Sequence, residues 1–247
     1  MAAKKTSTRR RSADAETQRT TIADALRWLE AKGTKKQIQE LDKYGIEAAK
    51  PFGVTVGDLK KYAKQIGTDH KLALELWKSG RYEARMLATM VDDPEQVTVA
   101  QMNTWAADFD NWAIVDTACF HLFDRTAHAW KKVPQWAKAK PEFTKRTAFA
   151  LLWSLSVHDK DASDGAFQDG LKLIEKAADD EREYVKKAVN MALRAIGKRN
   201  AKLHAAALQT AQLLAKSEDA TPRWIGSHAL RELSSPAVRK RVGTKAR

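Results

Sequence analysis

Apolar residues in this chain recur at spacings of three and four, the period of a buried helix face, and almost no stretch alternates as a strand would. Ile22, Leu26 and Leu29 set the first such face, over residues 20–31, and Gly33 ends it. A short helix over 35–43 follows, then the turn-rich segment 50–56 (Lys-Pro-Phe-Gly-Val-Thr-Val). From there the pattern predicts helices over 57–66, 69–78, 82–91 and 99–107. Asp92-Asp93-Pro94 stops the third of these, because proline disfavours helix at the residue before it. A longer helix is predicted from Asn111 to about Trp130, with Asn111 or Asp110 as its N-cap. Pro134 and Pro141 bracket a short helix around Trp136, and Pro141 opens another that runs to Ser156. Helices over 163–178, 182–199, 201–216 and 222–233, with a last turn after Pro236, complete the series.

Paired helices therefore recur about every 35–40 residues, close to the period of HEAT-like arrays. The expected fold is all-α: an irregular α-solenoid of HEAT-like helical repeats, in one domain over residues 19–237, with a compact helical bundle as the structural alternative. Residues 1–18 are polar and basic without apolar periodicity and are expected to form a disordered tail; 238–247 form a second basic tail. Charge sharpens that division. Of the thirteen net positive charges, five fall in residues 1–12 and five in 239–247, so only three belong to the body. Such tails serve either as solubilising extensions or as arms on a polyanion, and any specific site must come from local patches in the body. With 30% charged residues and no uncharged apolar run near ~18 residues, no membrane partner is expected. The N-terminus lacks the apolar core of a signal peptide, and a single cysteine, Cys119, fits a reducing cytoplasm.

Candidate chemistry concentrates on two helices. In the one beginning at Asn111, Ile114, Val115, Ala118, Leu122 and Ala129 make an ordinary core face. A second stripe holds Trp112, Asp116, Cys119, Phe123 and Trp130. Trp112 and Asp116 stand four apart and so are neighbours. A carboxylate on an aromatic face is costly to bury unless it has a partner or a task. Capping a neighbouring helix or pairing with an Arg from elsewhere would satisfy it as well as a catalytic role. In the helix over 182–199, Val185, Ala188, Val189, Ala192, Leu193 and Ile196 face the core. Lys187, Met191, Arg194 and Lys198 lie opposite, either as a solvated face or as a phosphate-contacting stripe around one soft side chain. Lys131, Lys132, Lys138, Lys140, Lys145 and Arg146 cluster within sixteen residues that include one acid, Glu142, and Arg81 and Arg85 share a helix face. Recurring at similar places in successive units, these basic patches favour DNA over solvated surface. The six histidines are scattered, with no HExxH or Cys/His spacing, so no metal is expected; no Gly-rich phosphate loop marks a nucleotide cofactor, and none is expected. Cys119 reads as packed rather than reactive.

Four segments together resemble the bacterial AlkD-like DNA alkylation repair proteins. They are Phe52-Gly-Val-Thr-Val-Gly-Asp-Leu-Lys-Lys, Leu74-Glu-Leu-Trp77 with Tyr82-Glu-Ala-Arg85-Met-Leu-Ala, Trp112-Ala-Ile-Val-Asp116, and Tyr184-Val-Lys-Lys-Ala-Val-Asn-Met-Ala-Leu-Arg194. The resemblance covers roughly residues 20–235, in order. It implies a C-shaped HEAT-like solenoid that cups double-stranded DNA in a basic concave face. It also implies a monofunctional DNA glycosylase that removes cationic alkylpurines such as 3-methyladenine and 7-methylguanine, in the bacterial cytoplasm and as a monomer. Matched by position, the family's tryptophan and catalytic aspartate fall on Trp112 and Asp116. A second tryptophan is expected where this chain has Met191, a substrate-contacting position, and Arg194 keeps that helix's arginine. Arg85, Lys145, Arg146, Lys187, Arg194 and Lys198 are the expected DNA-contacting cations. Two alternatives stay open on the residues: a catalytically silent DNA-binding relative of the same fold, and a helical-repeat scaffold for protein partners.

Overall fold

The computed structural model describes residues 19–244, and the expectations for the tail at 1–18 lie outside that range. Fourteen α-helices account for the described chain, with no strand among them. They are α1 (Ile22–Lys32), α2 (Lys35–Lys43), α3 (Val56–Ile66), α4 (His70–Lys78), α5 (Tyr82–Val91), α6 (Val99–Ala107) and α7 (Trp112–His121). After a 3-10 turn at Phe123–Arg125 come α8 (Ala129–Trp136), α9 (Glu142–His158), α10 (Asp164–Ala177), α11 (Glu183–Ile196), α12 (Ala201–Ala215), α13 (Ala220–Leu233) and α14 (Pro236–Thr244). Side-chain caps start half of these helices near the positions expected from the sequence. Thr21, Thr34, Thr55, Asp69, Thr98, Asn111 and Asn200 each accept a hydrogen bond from a first-turn amide.

Packing sorts the helices into two rows. α3, α5, α7, α9, α11 and α13 contact one another in succession, while α4, α8 and α12 pair with α5, α9 and α13 from behind. That order is the helical solenoid expected from the repeat period. One continuous apolar core runs between the rows, and two of its indoles have carboxylate partners. Trp77 stacks on Trp105 at 3.9 Å between ring centroids and donates to Asp108 at 2.9 Å; Trp130 donates to Asp159 at 2.8 Å. Close packing reaches the backbone at Gly226, where a Cβ would overlap the amide of Ala215 and the carbonyl of Ala211, so α13 lies directly against α12.

Three expectations are corrected. The long helix from Asn111 to Trp130 does not form: α7 ends at His121, and the chain bends through the 3-10 turn before α8 begins. Leu122 and Phe123 are adjacent and both fully buried. A continuous helix would point them about 100° apart, and the bend turns both into the core. Trp130 therefore belongs to the next helix, and the stripe of five splits. Pro134 sits inside α8 rather than bounding it. The basic segment expected as a tail from 238 is helical to Thr244, with Val242 buried.

One carboxylate anchors the amino-terminal part. Glu83, on α5 and 1% exposed, accepts from the amides of Phe52 (2.7 Å), Gly53 (2.6 Å) and Val54 (3.2 Å). Gly53 has a positive φ of 82°, and a Cβ there would overlap the Thr34 carbonyl, so glycine lets the loop enter this cradle. Glu83→Ala strands three buried amides at ~1–3 kcal/mol each when unsatisfied. Urea unfolding followed by helical circular dichroism should show a loss of about 3 kcal/mol or more. An unchanged midpoint would mean the loop finds other acceptors at no cost.

Candidate functional site

Asp116 lies one turn into α7, and Asn111 fixes that helix start by accepting from Ala113 and Ile114 at 3.1 Å each. Its carboxylate is 17% exposed and is held by Arg146 from α9: one terminal nitrogen, Nη2, donates to both oxygens at 2.8 Å. The other, Nη1, donates to the backbone carbonyl of Tyr184 on α11 at 2.8 Å. A single guanidinium thus joins α7, α9 and α11. Its side chain is only 3% exposed, so Arg146 is corrected from the expected set of surface cations: it positions the carboxylate instead of standing on the surface. The pairing with an arginine from elsewhere, left open on the residues alone, is what the fold provides. A carboxylate offers about four lone-pair sites, so this pairing leaves acceptor capacity on Asp116.

Trp112 stands beside the carboxylate, half-buried, its indole nitrogen donating to the Tyr44 carbonyl at 3.1 Å. Across the site, the Tyr184 hydroxyl donates to the Gly45 carbonyl at 3.1 Å. The turn after α2 therefore bridges α7 and α11, over sequence separations of 68 and 139 residues. Gly45 makes the turn with φ 62°, and the Tyr44 ring is 65% exposed at its rim. Tyr184 is steadied further by Glu142, which accepts from its amide at 3.1 Å, and by the Phe143 ring at 5.3 Å. Sequence reading placed no role on Tyr44, Gly45 or Tyr184. Backbone carbonyls leave no signature in a sequence, and only the Gly after an aromatic hinted at a turn there. Cys119, from the same predicted stripe, is fully buried with its Sγ 3.7 Å from the Thr147 carbonyl, and burial pushes its thiol up, away from thiolate chemistry.

The remaining predicted cations are all engaged within the chain. Arg85, 16% exposed, donates to the Asp108 carbonyl at 3.2 Å and lies over Trp77. Lys145, also 16% exposed, pairs with Asp180 at 2.7 Å. Arg194 and Lys198 both pair with Glu232 of α13. Lys187, at 51%, is the most exposed of the six and pairs with Glu183 at 2.9 Å along its own helix. Met191 shares this face and is half-buried. The structure brings Trp112, Asp116 and Arg146 together, whereas the cations are distributed along α5, α9 and α11.

A stack of helix pairs, with a buried arginine on α9 holding a carboxylate of α7 beside an indole, defines a helical-repeat protein. The family model described as "DNA alkylation repair enzyme" matches residues 25–233, and the chain belongs to that family. An uncharacterised protein of Listeria innocua serovar 6a, Lin0241, is 25% identical over 97 residues. That match covers 38% of this chain and spans less than half (43%) of the relative's length. Among solved structures, one described as "a new family of proteins related to the HEAT-like repeat DNA glycosylases with affinity for branched DNA structures" aligns with a TM-score of 0.76. It covers 91% of this chain and 97% of its own at 20% identity, and so establishes the HEAT-like fold.

Two effects oppose each other at the carboxylate. Burial pushes Asp116 up from the ordinary value, and the Arg146 guanidinium pulls it down without cancelling that push. The folded chain then holds this proton more tightly than the unfolded one. The group's contribution to stability is full below about pH 3.9, the unfolded midpoint, and is lost as pH rises through the folded midpoint. Carboxyl-carbon NMR should place the Asp116 midpoint above about 3.9. Arg146→Met removes the lowering partner, so the midpoint should climb further; a downward move would refute this account of the site.

Proposed function

We propose that the protein is a DNA glycosylase that hydrolyses the N-glycosidic bond of cationic alkylated purines, such as 3-methyladenine and 7-methylguanine, in duplex DNA. The observation that carries this reading is the Asp116 carboxylate, oriented by Arg146 with Trp112 one turn before it. Alkylation at a ring nitrogen leaves the purine positive and already a good leaving group, so no general acid is needed. As the C1′–N bond breaks, its electron pair neutralises the purine and positive charge passes to the sugar. A fixed carboxylate stabilises that charge, and it also orients the water that adds to C1′. The Arg146 contact holds the oxygens in place before the charge develops, which removes a reorganisation step. The indole of Trp112 attracts the cationic nucleotide, worth roughly 0.5–2 kcal/mol depending on desolvation.

Met191 favours a second reading, a relative that binds DNA without excising a base. A thioether has surface but no ring quadrupole, so one aromatic wall expected at this position is missing. The solved relative described as having affinity for branched DNA points the same way. Under either reading, DNA binding is an exchange of partners, because Lys187, Arg194 and Lys198 leave Glu183 or Glu232 to meet phosphates. The six expected DNA contacts thus reduce to five, Arg85, Lys145, Lys187, Arg194 and Lys198, with Arg146 behind the carboxylate.

Chromatographic release of methylpurine from methylated duplex DNA decides between the two. Asp116→Asn should retain DNA affinity and lose ~10²–10³ in excision rate, the scale for removing one preorganised electrostatic contact. Met191→Trp should raise excision of cationic purines. Release by neither wild type nor Met191→Trp would sink the enzyme reading, and release that survives Asp116→Asn unchanged would sink the mechanism. For the interface, Lys187→Ala should lower the magnitude of the log–log salt slope of duplex binding by about 0.9. An unchanged slope would return Lys187 to an ordinary solvated lysine.

A further inference from the structure

A cleft lies at the carboxyl-terminal ends of α9 and α11. It encloses about 570 Å³ and is lined by Trp153 of α9, Lys198 at the end of α11, and Lys160, Arg199, Asn200 and Arg241. The volume lies within the range of ordinary ligand pockets, ~300–1,000 Å³. Among the described residues, no carboxylate lines it. The acids close behind it are already engaged: Asp159 takes the Trp130 indole and the Ala162 amide, Asp164 takes the Asn200 side chain, and Glu232 takes Arg194 and Lys198.

Part of this charge has a structural task. Arg199 donates to the Ser156 and Asp159 carbonyls at 3.0 and 2.7 Å, closing the end of α9, and Lys160 reaches the Val157 carbonyl. Capping carbonyls accounts for Arg199 and Lys160, but it does not account for an indole lining the same cavity. Like charges crowd here at a cost: Lys198 is pushed down first by burial and then by the proximity of Arg194 and Arg241. Trp153 is half-buried, fixed edge-to-face against Phe120 at 4.4 Å between centroids, and still lines the cleft. A planar π surface beside several cations matches a nucleotide, whose base stacks and whose phosphate is held by charge.

Register ties the cleft to the carboxylate site. Trp153 stands seven residues after Arg146 on α9, the same face two turns on, which is ~10 Å by helix rise. Lys198 likewise continues the face that carries Met191 and Arg194. A base within a duplex is stacked and paired, so its face is closed to an indole. Only an unpaired nucleotide offers both groups.

We propose that this cleft is a subsite for one unpaired nucleotide of a DNA strand, with its base on Trp153 and its phosphate among Lys160, Lys198 and Arg241. The proposal rests on the DNA-directed reading above and adds a strand end or unpaired branch as a ligand distinct from the duplex. Arg199 is left out of the test because it holds α9 closed.

Fluorescence anisotropy on the full chain, with labelled dT10 and a blunt duplex as separate probes, tests the site. Trp153→Leu should weaken dT10 about tenfold and Trp153→Phe should restore most of that, while an abasic strand of equal length is insensitive to both. Lys160→Gln with Arg241→Gln, both at the surface, should weaken dT10 five- to tenfold and lower its salt slope by about 1.4, or 0.7 for each lost contact. Duplex affinity should stay within threefold. Equal losses on strand and duplex, or no loss on dT10, would overturn the subsite. Methylpurine release by a wild type that ignores dT10 would remove the subsite and leave the glycosylase standing. Strand binding that depends on these residues, in a protein that releases no purine, would do the reverse; a protein that does neither would lose both.

Discussion

The contact on which the inner row depends is the buried guanidinium of Arg146, with Asp116 of α7 on one side and the Tyr184 carbonyl of α11 on the other. Removing such charges from water costs several kcal/mol per ion, and their mutual attraction offsets this only when geometry and remaining hydrogen bonds are good. The ion pair is therefore a poor source of net stability. What it supplies is register: α7 and α11 each contribute one acceptor that the guanidinium carried by α9 must meet at once. Sliding α7 or α9 by a turn would leave a charge buried without its partner, and sliding α11 would leave a guanidinium N–H without its carbonyl. The same constraint that fixes the packing also sets the carboxylate oxygens, so fold and candidate chemistry are specified by one group.

Helix positions were legible because they depend on short-range chemistry. Thr, Asp and Asn caps and three–four apolar spacing act within a few residues, and α5 and α6 begin and end where the pattern placed them. The break after His121 was illegible, since Leu122-Phe123 reads as helix unless one knows that both adjacent side chains are buried in the core. The pair Trp112 and Asp116 could be singled out because both lie on one helix. Arg146 was misassigned to the surface because it sits in a run of lysines and threonines, and its partner is thirty positions away. Burial of a cation is a tertiary property, and local charge clustering points the other way.

The cations of α5, α9 and α11 share one trait, that each is held by an acid or a carbonyl before any ligand arrives. This organises the surface and tempers it. Arg194 and Lys198 share the one carboxylate of Glu232, so under the proposed DNA reading they act as a coupled unit rather than as independent contacts. Net charge of the body is small and most of the excess sits at the chain ends, so under the proposed DNA reading recognition by the body rests on which internal pairs a polyanion can open.

The turn at Tyr44 and Gly45 reaches α7 and α11 through main-chain oxygens alone. Side-chain identity at position 44 is then nearly irrelevant to the bridge, whereas the number of residues between Gly33 and Gly45 is not. Substitutions in this stretch should be tolerated during divergence while insertions and deletions are purged, so the segment would drift in composition and stay constant in length. A span that looks unconserved by residue type would still be a ruler, measuring the distance from the amino-terminal helices to the carboxylate.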